Sequence, residues 1–273
     1  MNAAPTRPLG ALLNPEDPRD QEHGPARFFG SSEEPKAGFS PRKPISYRSL
    51  LDKVPNQIGQ SCNGHALASG VYLHGQIHGH PAPRCSALGS YTIGRMLEGE
   101  GIEPKPPLRD VGSYSRLVVR GARDRGMLAE TEWEERADRL NAAIPFGKFQ
   151  RLMPQRIRSW YPIGWSSEPG AVAETARQLL AAGVPILFNL PVTRAFERLH
   201  GDQPVGLEIT SDPSLGRHAV LATGYDAEGN LEVLSSWGAE WGDEGFFWLT
   251  PEAFEHLDIA DRIAITTTPW SHT

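Results

Sequence analysis

Cysteine is scarce in this 273-residue chain: Cys62 and Cys85 are the only two, so at most one disulfide could form and a disulfide-stapled scaffold is excluded. No apolar run approaches the ~18 residues that a membrane-spanning helix needs. The first residues, MNAAPTRPLGALLNPEDPRD, hold no continuous apolar stretch of the kind a Sec signal peptide requires, so the cytoplasm is the expected location, with export by another route left open. A free, nucleophilic thiol would suit that reducing compartment. Blocks of about five or six like charges are absent and the net charge is −6, which argues against nucleic acid and anionic membrane as partners. There is no internal repeat.

What remains is ordinary soluble material, 39% hydrophobic and 22% charged, enough to build a core. Eight prolines fall in residues 1–45, where neither helical nor strand periodicity is sustained, so residues 1–50 read as a proline-rich N-terminal extension. Phe28, Phe29 and Phe39 suggest that part of it docks on the body, as a cleft-blocking prosegment, a partner-docking arm or a plain tail. Residues 51–165 read as a mainly helical lobe. Its first helix spans about Ser61 to Ile77, with Ala66, Leu67, Gly70, Val71, Leu73 and His74 on or near one buried face and Cys62 at its start. Helical pieces are also expected at CSALGSYTIGRMLEGEGI, at SYSRLVVRGARDRGM up to Gly126, and at TEWEERADRL. His74, His78 and His80 include an i,i+4 pair, but no Cys, Asp or Glu nearby completes a metal set, so they read as exposed or capping residues and no metal is expected. Cys85 reads as an ordinary buried thiol.

Residues 166–273 read as a β-rich lobe. SSEPGAVAETARQLLAAGVP is a helix with a serine cap, an acidic first turn and a glycine stop. ILFNLPV, RHAVLATGY, LEVLSSW and GFFWL read as strands, the middle pair joined by a DAEGN turn. A cysteine at a helix N-terminus and a histidine on an apolar strand are the components of a thiol nucleophile and its base. The helix dipole and a nearby imidazolium would favour the thiolate.

Taken together, SCNGHALA at Cys62, HAVLATGY at His218 and SSWGAEWGDEGFFWL resemble the papain-like cysteine peptidases, in particular their disulfide-poor bacterial branch. DPRD at 17–20 and LRDVGSYSRL at 108–117 are similar to segments of that branch. The resemblance runs from roughly Val54 to Thr268. It implies an α+β, papain-like two-lobe fold: a helical lobe, then an antiparallel β-sheet or barrel lobe, with the active-site cleft between them. It also implies Cys62 as nucleophile, His218 as general base and then acid, and Gln57 as side-chain donor to the oxyanion hole beside the Cys62 N–H. Trp237 would shield the histidine's second hydrogen bond, and no cofactor is implied. Gln57 lies one residue closer to the cysteine than is usual in the family, so Gln60 competes for its role. Ser235 stands where the family has the asparagine that orients the histidine; its shorter hydroxyl could need a bridging water. No glycine pair is evident that would align a substrate strand. Trp241 and Gly242 read as structural.

The expected activity is hydrolysis of peptide or isopeptide amide bonds in a peptide or protein substrate, through an acyl-enzyme on Cys62. An amidase or transamidase would use the same pair. A catalytically weakened domain that merely holds a peptide in its cleft is the rival from another class, favoured by Ser235.

Overall fold

In the computed structural model of the chain, the described residues are 7–15, 43–81, 83–98, 108–152, 157–163, 168–210, 212–256 and 258–267. Phe28, Phe29, Phe39 and the DPRD segment lie outside them. Two short strands come first, β1 (Ala11–Leu12) and β2 (Ile45–Ser46). Helix α1 (Cys62–Ile77) begins at the cysteine, as its run of small and apolar residues predicts, and α2 (Ala87–Glu98) packs beside it. Strand β3 (Ser113–Tyr114) leads directly into α3 (Ser115–Arg125), which ends at Gly126. The expected helix at TEWEERADRL is reduced to a 3-10 turn at Ala137–Arg139. Buried Trp133 and the carboxylate of Glu135 are directed inward there, which a solvated helix face would not allow. A short α4 (Phe146–Phe149) follows.

The second half contains β4 (Ile157–Pro162), α5 (Ala171–Ala181), β5 (Ile186–Val192), α6 (Arg194–Glu197), β6 (Gly216–Tyr225), β7 (Leu231–Leu234), β8 (Phe246–Leu249), α7 (Pro251–Glu255) and β9 (Ala260–Thr267). The sheet is antiparallel, in the order β4-β9-β5-β6-β7-β8, with β2 added against β6. Among the described residues it is open rather than a closed barrel. The cap on α5 also differs from expectation. Its N-cap is Gly170, and Glu255 accepts from the N–H groups of Gly170, Val172 and Ala173 at 2.8–3.1 Å; Ser166 and Ser167 lie outside the described residues. A carboxylate satisfies orphan donors and complements the helix dipole at once.

Alternation along the strands sorts side chains onto two faces. Phe188, Leu190, Val220 and Ala222 share one core with α5, α7 and Trp241. Leu187, Ala219, Leu221, Ile263 and Ile265 share the other with α1. Each such fully buried valine, leucine, isoleucine or phenylalanine side chain contributes about 1.5–3 kcal/mol, which seats α1, and Cys62 with it, on the sheet. A third cluster, Leu88, Tyr91, Ile93, Leu128, Trp133 and Ile144, fills the helical half. His74 is buried, as its place near the inner face of α1 predicts and against the reading of the histidines as exposed or capping; it is bonded through Nδ1 to Thr267 Oγ1 at 3.0 Å, and burial lowers its pKa to about 4. His78 reaches the Gly183 carbonyl at 3.2 Å. Cys85 is a free, buried thiol.

Candidate active site

Cys62 and His218 are both fully buried where α1 meets β6. The Cys62 thiol lies against the backbone of Ala219, the residue after the histidine. His218 Nε2 meets Ser235 Oγ directly at 3.1 Å, so the shorter side chain reaches the imidazole without a bridging water. The indole of Trp237 stacks on the imidazole, ring centroids 4.3 Å apart and 21° from parallel. Nδ1 of His218 is buried and has no hydrogen-bond partner among the described residues. With Nε2–H donating to the serine, Nδ1 is the free basic position.

The two glutamines part company. Gln57 is buried next to the 236–238 segment: its N–H donates to Ser236 O at 2.8 Å, and its Oε1 accepts from Ser236 Oγ at 2.5 Å. Its Nε2 donates to Gly59 O at 2.9 Å and reaches Pro8 O at 3.4 Å. Gln60 is turned away, its Nε2 bound to Asp110 O at 2.7 Å.

The described N-terminal residues run through the same place. Pro8 O accepts from Trp237 Nε1 at 3.1 Å, Gly10 N donates to Arg217 O at 3.1 Å, and Gly10 O accepts from Ser113 N at 2.9 Å. β1 then pairs with β3 in parallel. Leu9 and Gly10 are buried, and the Gly10 N–H faces the Cys62 sulfur. Only glycine fits at position 10, because a Cβ there would lie 2.1 Å from the Gln60 carbonyl. Gly112, at φ 92°, allows the equally close approach from the other side, where a Cβ would meet Gly10 O at 2.5 Å.

Burial sets the electrostatics. It pushes the Cys62 thiol up to about 12, against the opposing pull of the backbone N–H groups around it. It pushes His218 down to about 3, with a smaller contribution from His65. A thiolate–imidazolium pair is expected of an open site; with residues 7–12 in place the pair is neutral, because water is excluded from both charges.

Several residues that shape the site were not singled out from the sequence. Asp110 accepts from the Gln60 N–H at 3.0 Å and from Tyr91 OH at 2.7 Å, while the same Tyr91 oxygen accepts from Gly112 N at 3.1 Å. Glu135 accepts from Ile58 N at 2.9 Å and pairs with His65 Nε2 at 2.7 Å. One turn beyond Cys62, His65 thereby ties α1 to the 57–60 loop. Gly112 leads directly into β3, against which β1 lies in parallel.

Comparison with known proteins agrees with this geometry. The family model described as papain family cysteine protease matches residues 174–267, a span that includes His218, Ser235 and Trp237 but not Cys62. Thiol protease aleurain of Arabidopsis thaliana is 38% identical over 66 residues, 21% of this chain and 18% of that protein. Cysteine proteinase 2 of Zea mays is 42% identical over 66 residues, with the same coverage. The match thus spans about a fifth of the length of these curated relatives. Among solved structures, xylellain, a cysteine protease from Xylella fastidiosa, superposes with a TM-score of 0.76 at 20% identity, covering 98% of this chain and 99% of that one. Digestive procathepsin L 3 of Tenebrio molitor larval midgut gives 0.64 at 16% identity, covering 88% and 72%. The chain therefore has the papain-like fold, and its resemblance to the papain-like cysteine peptidases is carried by that fold throughout and by the family match over residues 174–267.

Proposed function

We propose that the chain is a papain-like cysteine hydrolase that cleaves peptide or isopeptide amide bonds, and that its own residues 7–12 hold the cleft closed. The observation that carries the reading is the imidazole of His218: Nε2 is engaged by Ser235, one face is covered by Trp237, and Nδ1 is left free beside the wall that holds Cys62. In the opened cleft Nδ1 takes the thiol proton, the thiolate attacks the substrate carbonyl, and the imidazolium returns the proton to the leaving amine. Water then resolves the thioester. The oxyanion is met by Gln57 Nε2 and the Cys62 N–H. Gln57 suits this role because its amide already faces a cleft carbonyl, that of Pro8, whereas Gln60 is committed to Asp110. Such a donor contributes about 3 kcal/mol to the transition state.

The N-terminal segment is read as an inhibitor rather than a substrate because it presents an N–H, that of Gly10, to the sulfur. A peptide-holding domain without catalysis remains the second reading, favoured by the neutral state of the buried pair and by Ser235. Incubating the full chain carrying Gly10→Ala with a mixture of proteome-derived peptides separates the two. Cleavage that is lost in Cys62→Ala supports the hydrolase; binding of peptides without any cleavage contradicts it.

A further inference from the structure

Behind the two oxyanion donors, a single oxygen joins the loop that carries one to the helix that carries the other. Glu135 Oε1 accepts from the Ile58 N–H at 2.9 Å and meets His65 Nε2 at 2.7 Å. Ile58 follows Gln57, and its carbonyl accepts from Ser61 Oγ at 2.8 Å. His65 is buried on α1, one turn beyond Cys62, with its own N–H bonded to Ser61 O at 3.2 Å. Burial pushes the Glu135 carboxyl up. The bond to His65 and its charge, together with the Ile58 N–H and Lys53, outweigh that and hold the group below the usual carboxylate range. An ionised oxygen makes the stronger kind of bond to both donors.

The geometry bears on Gln57. Gly59 O accepts from its Nε2 at 2.9 Å and so orients the amide, which means that the placing of Ile58 and Gly59 decides where the second Nε2–H points. Beyond Gly59 the loop is held by Asp110 through Gln60. The other donor, the Cys62 N–H, is fixed by α1. We propose that Glu135 and His65 are positioning residues for the oxyanion hole, locking the Gln57 loop to the Cys62 helix so that both N–H groups converge on one oxygen. The proposal rests on the hydrolase reading above. Neither side chain is asked to touch substrate; a donor displaced by about 1 Å is enough to cost up to ~10²-fold in rate.

Two reagents, applied to the full chain carrying Gly10→Ala and Cys85→Ser as the parent, test this. p-Nitrophenyl acetate acylates Cys62 through an oxyanion. The thiol proton passes to His218 Nδ1, the C–S bond forms as the carbonyl π pair moves onto oxygen, and that pair returns as p-nitrophenolate leaves. Iodoacetamide alkylates the same sulfur by displacing iodide, with no oxyanion. The ratio of the two rates, each taken as the part lost in Cys62→Ala, therefore cancels changes in thiolate population and reads the hole.

Glu135→Leu and His65→Phe each lower that ratio by about tenfold or more, and the two together lower it no further than either alone. Glu135→Gln keeps an Oε1 that accepts both bonds, and His65→Gln keeps a donor near the Nε2 position, so each restores the ratio to within about threefold of the parent. Both His65 variants remove the charge that contributes to the lowering of His218, so the difference between them reports the bond alone. The His65 variants carry the test should Glu135→Leu fail to fold. An unchanged ratio in His65→Phe, with both rates falling equally, makes the pair merely structural and overturns the proposal. So does a ratio that falls as far in the glutamine variants as in the apolar ones. A parent ratio equal to that of glutathione leaves no hole to position and overturns it too. The predicted pattern of ratios without cleavage of any proteome-derived peptide removes the hydrolase reading and leaves the positioning pair standing.

Discussion

The two walls of the cleft are held by different forces. On the sheet side, His218 and Ser235 are carried by strand-end backbone: β6 is paired along its length with β5, and the Ser235 N–H is bonded to Gly245 O at 2.9 Å. On the helical side, the 57–60 loop and the segment around Gly112 have little regular structure. Side chains hold them instead: Asp110 and Tyr91 link Gln60 to Gly112, and Glu135 with His65 links Ile58 to α1. A ladder distributes its stability over many bonds, so losing one side chain changes little. A clamp made of two carboxylates concentrates it, so losing one moves a whole loop.

The largest expected effect lies where the walls meet. In the Gly10→Ala background, Cys62→Ala and His218→Ala each lower peptide hydrolysis by at least about 10⁴-fold, because nucleophile and base act as one unit. Next is Gly10→Ala itself. Its methyl group collides with the rigid Gln60 carbonyl, so the segment is expelled and Cys62 alkylation accelerates by about tenfold or more, equivalent to about 1.4 kcal/mol of lost seating. On the helical wall, Asp110→Ala removes charge-assisted bonds to two elements and costs about 2–3 kcal/mol, read as a lowered urea midpoint at unchanged slope. On the sheet wall, Ser235→Ala removes one neutral bond while Trp237 still holds the ring, and lowers kcat about fivefold, or ~1 kcal/mol. If Ser235→Ala proves costlier than Asp110→Ala in both activity and stability, the contrast between the walls is wrong.

Acid sharpens the same contrast. His218 is held at about 3 and His74 at about 4, both below the ordinary 6.5 of the unfolded chain. Below pH 6.5 the unfolded state takes up protons that the folded state refuses. The stability they contribute is present above pH 6.5 and lost as pH falls toward 3. Urea midpoints should therefore decline across that window, less steeply in His74→Asn, where one of the two proton-refusing groups is gone.

The difference between the walls also explains what the sequence made legible. Cys62, His218, Ser235 and Trp237 could be named because the motifs around them resemble those of the papain-like peptidases, and a helix start and apolar strands are local patterns that place the first two. Gln57 could be named but not separated from Gln60, since only the bond from Gln60 to Asp110 distinguishes them. Asp110 and Glu135 were missed because each acts across a long sequence separation. Nothing near Glu135 marks it apart from a solvated charge run. Position 10 was equally hidden, as its glycine is explained only by the Gln60 carbonyl that the fold brings against it.

The most direct test of the account is the pH dependence of Cys62 alkylation in Cys85→Ser protein, comparing Gly10 with Gly10→Ala. With Gly10 the account predicts slow labelling throughout, because the pair is buried and neutral. With Gly10→Ala it predicts fast labelling that persists well below pH 7 and disappears when His218→Ala is added. Labelling that follows an ordinary thiol near pH 8.5 in both proteins would contradict it, for then neither the closed segment nor the histidine governs the cysteine.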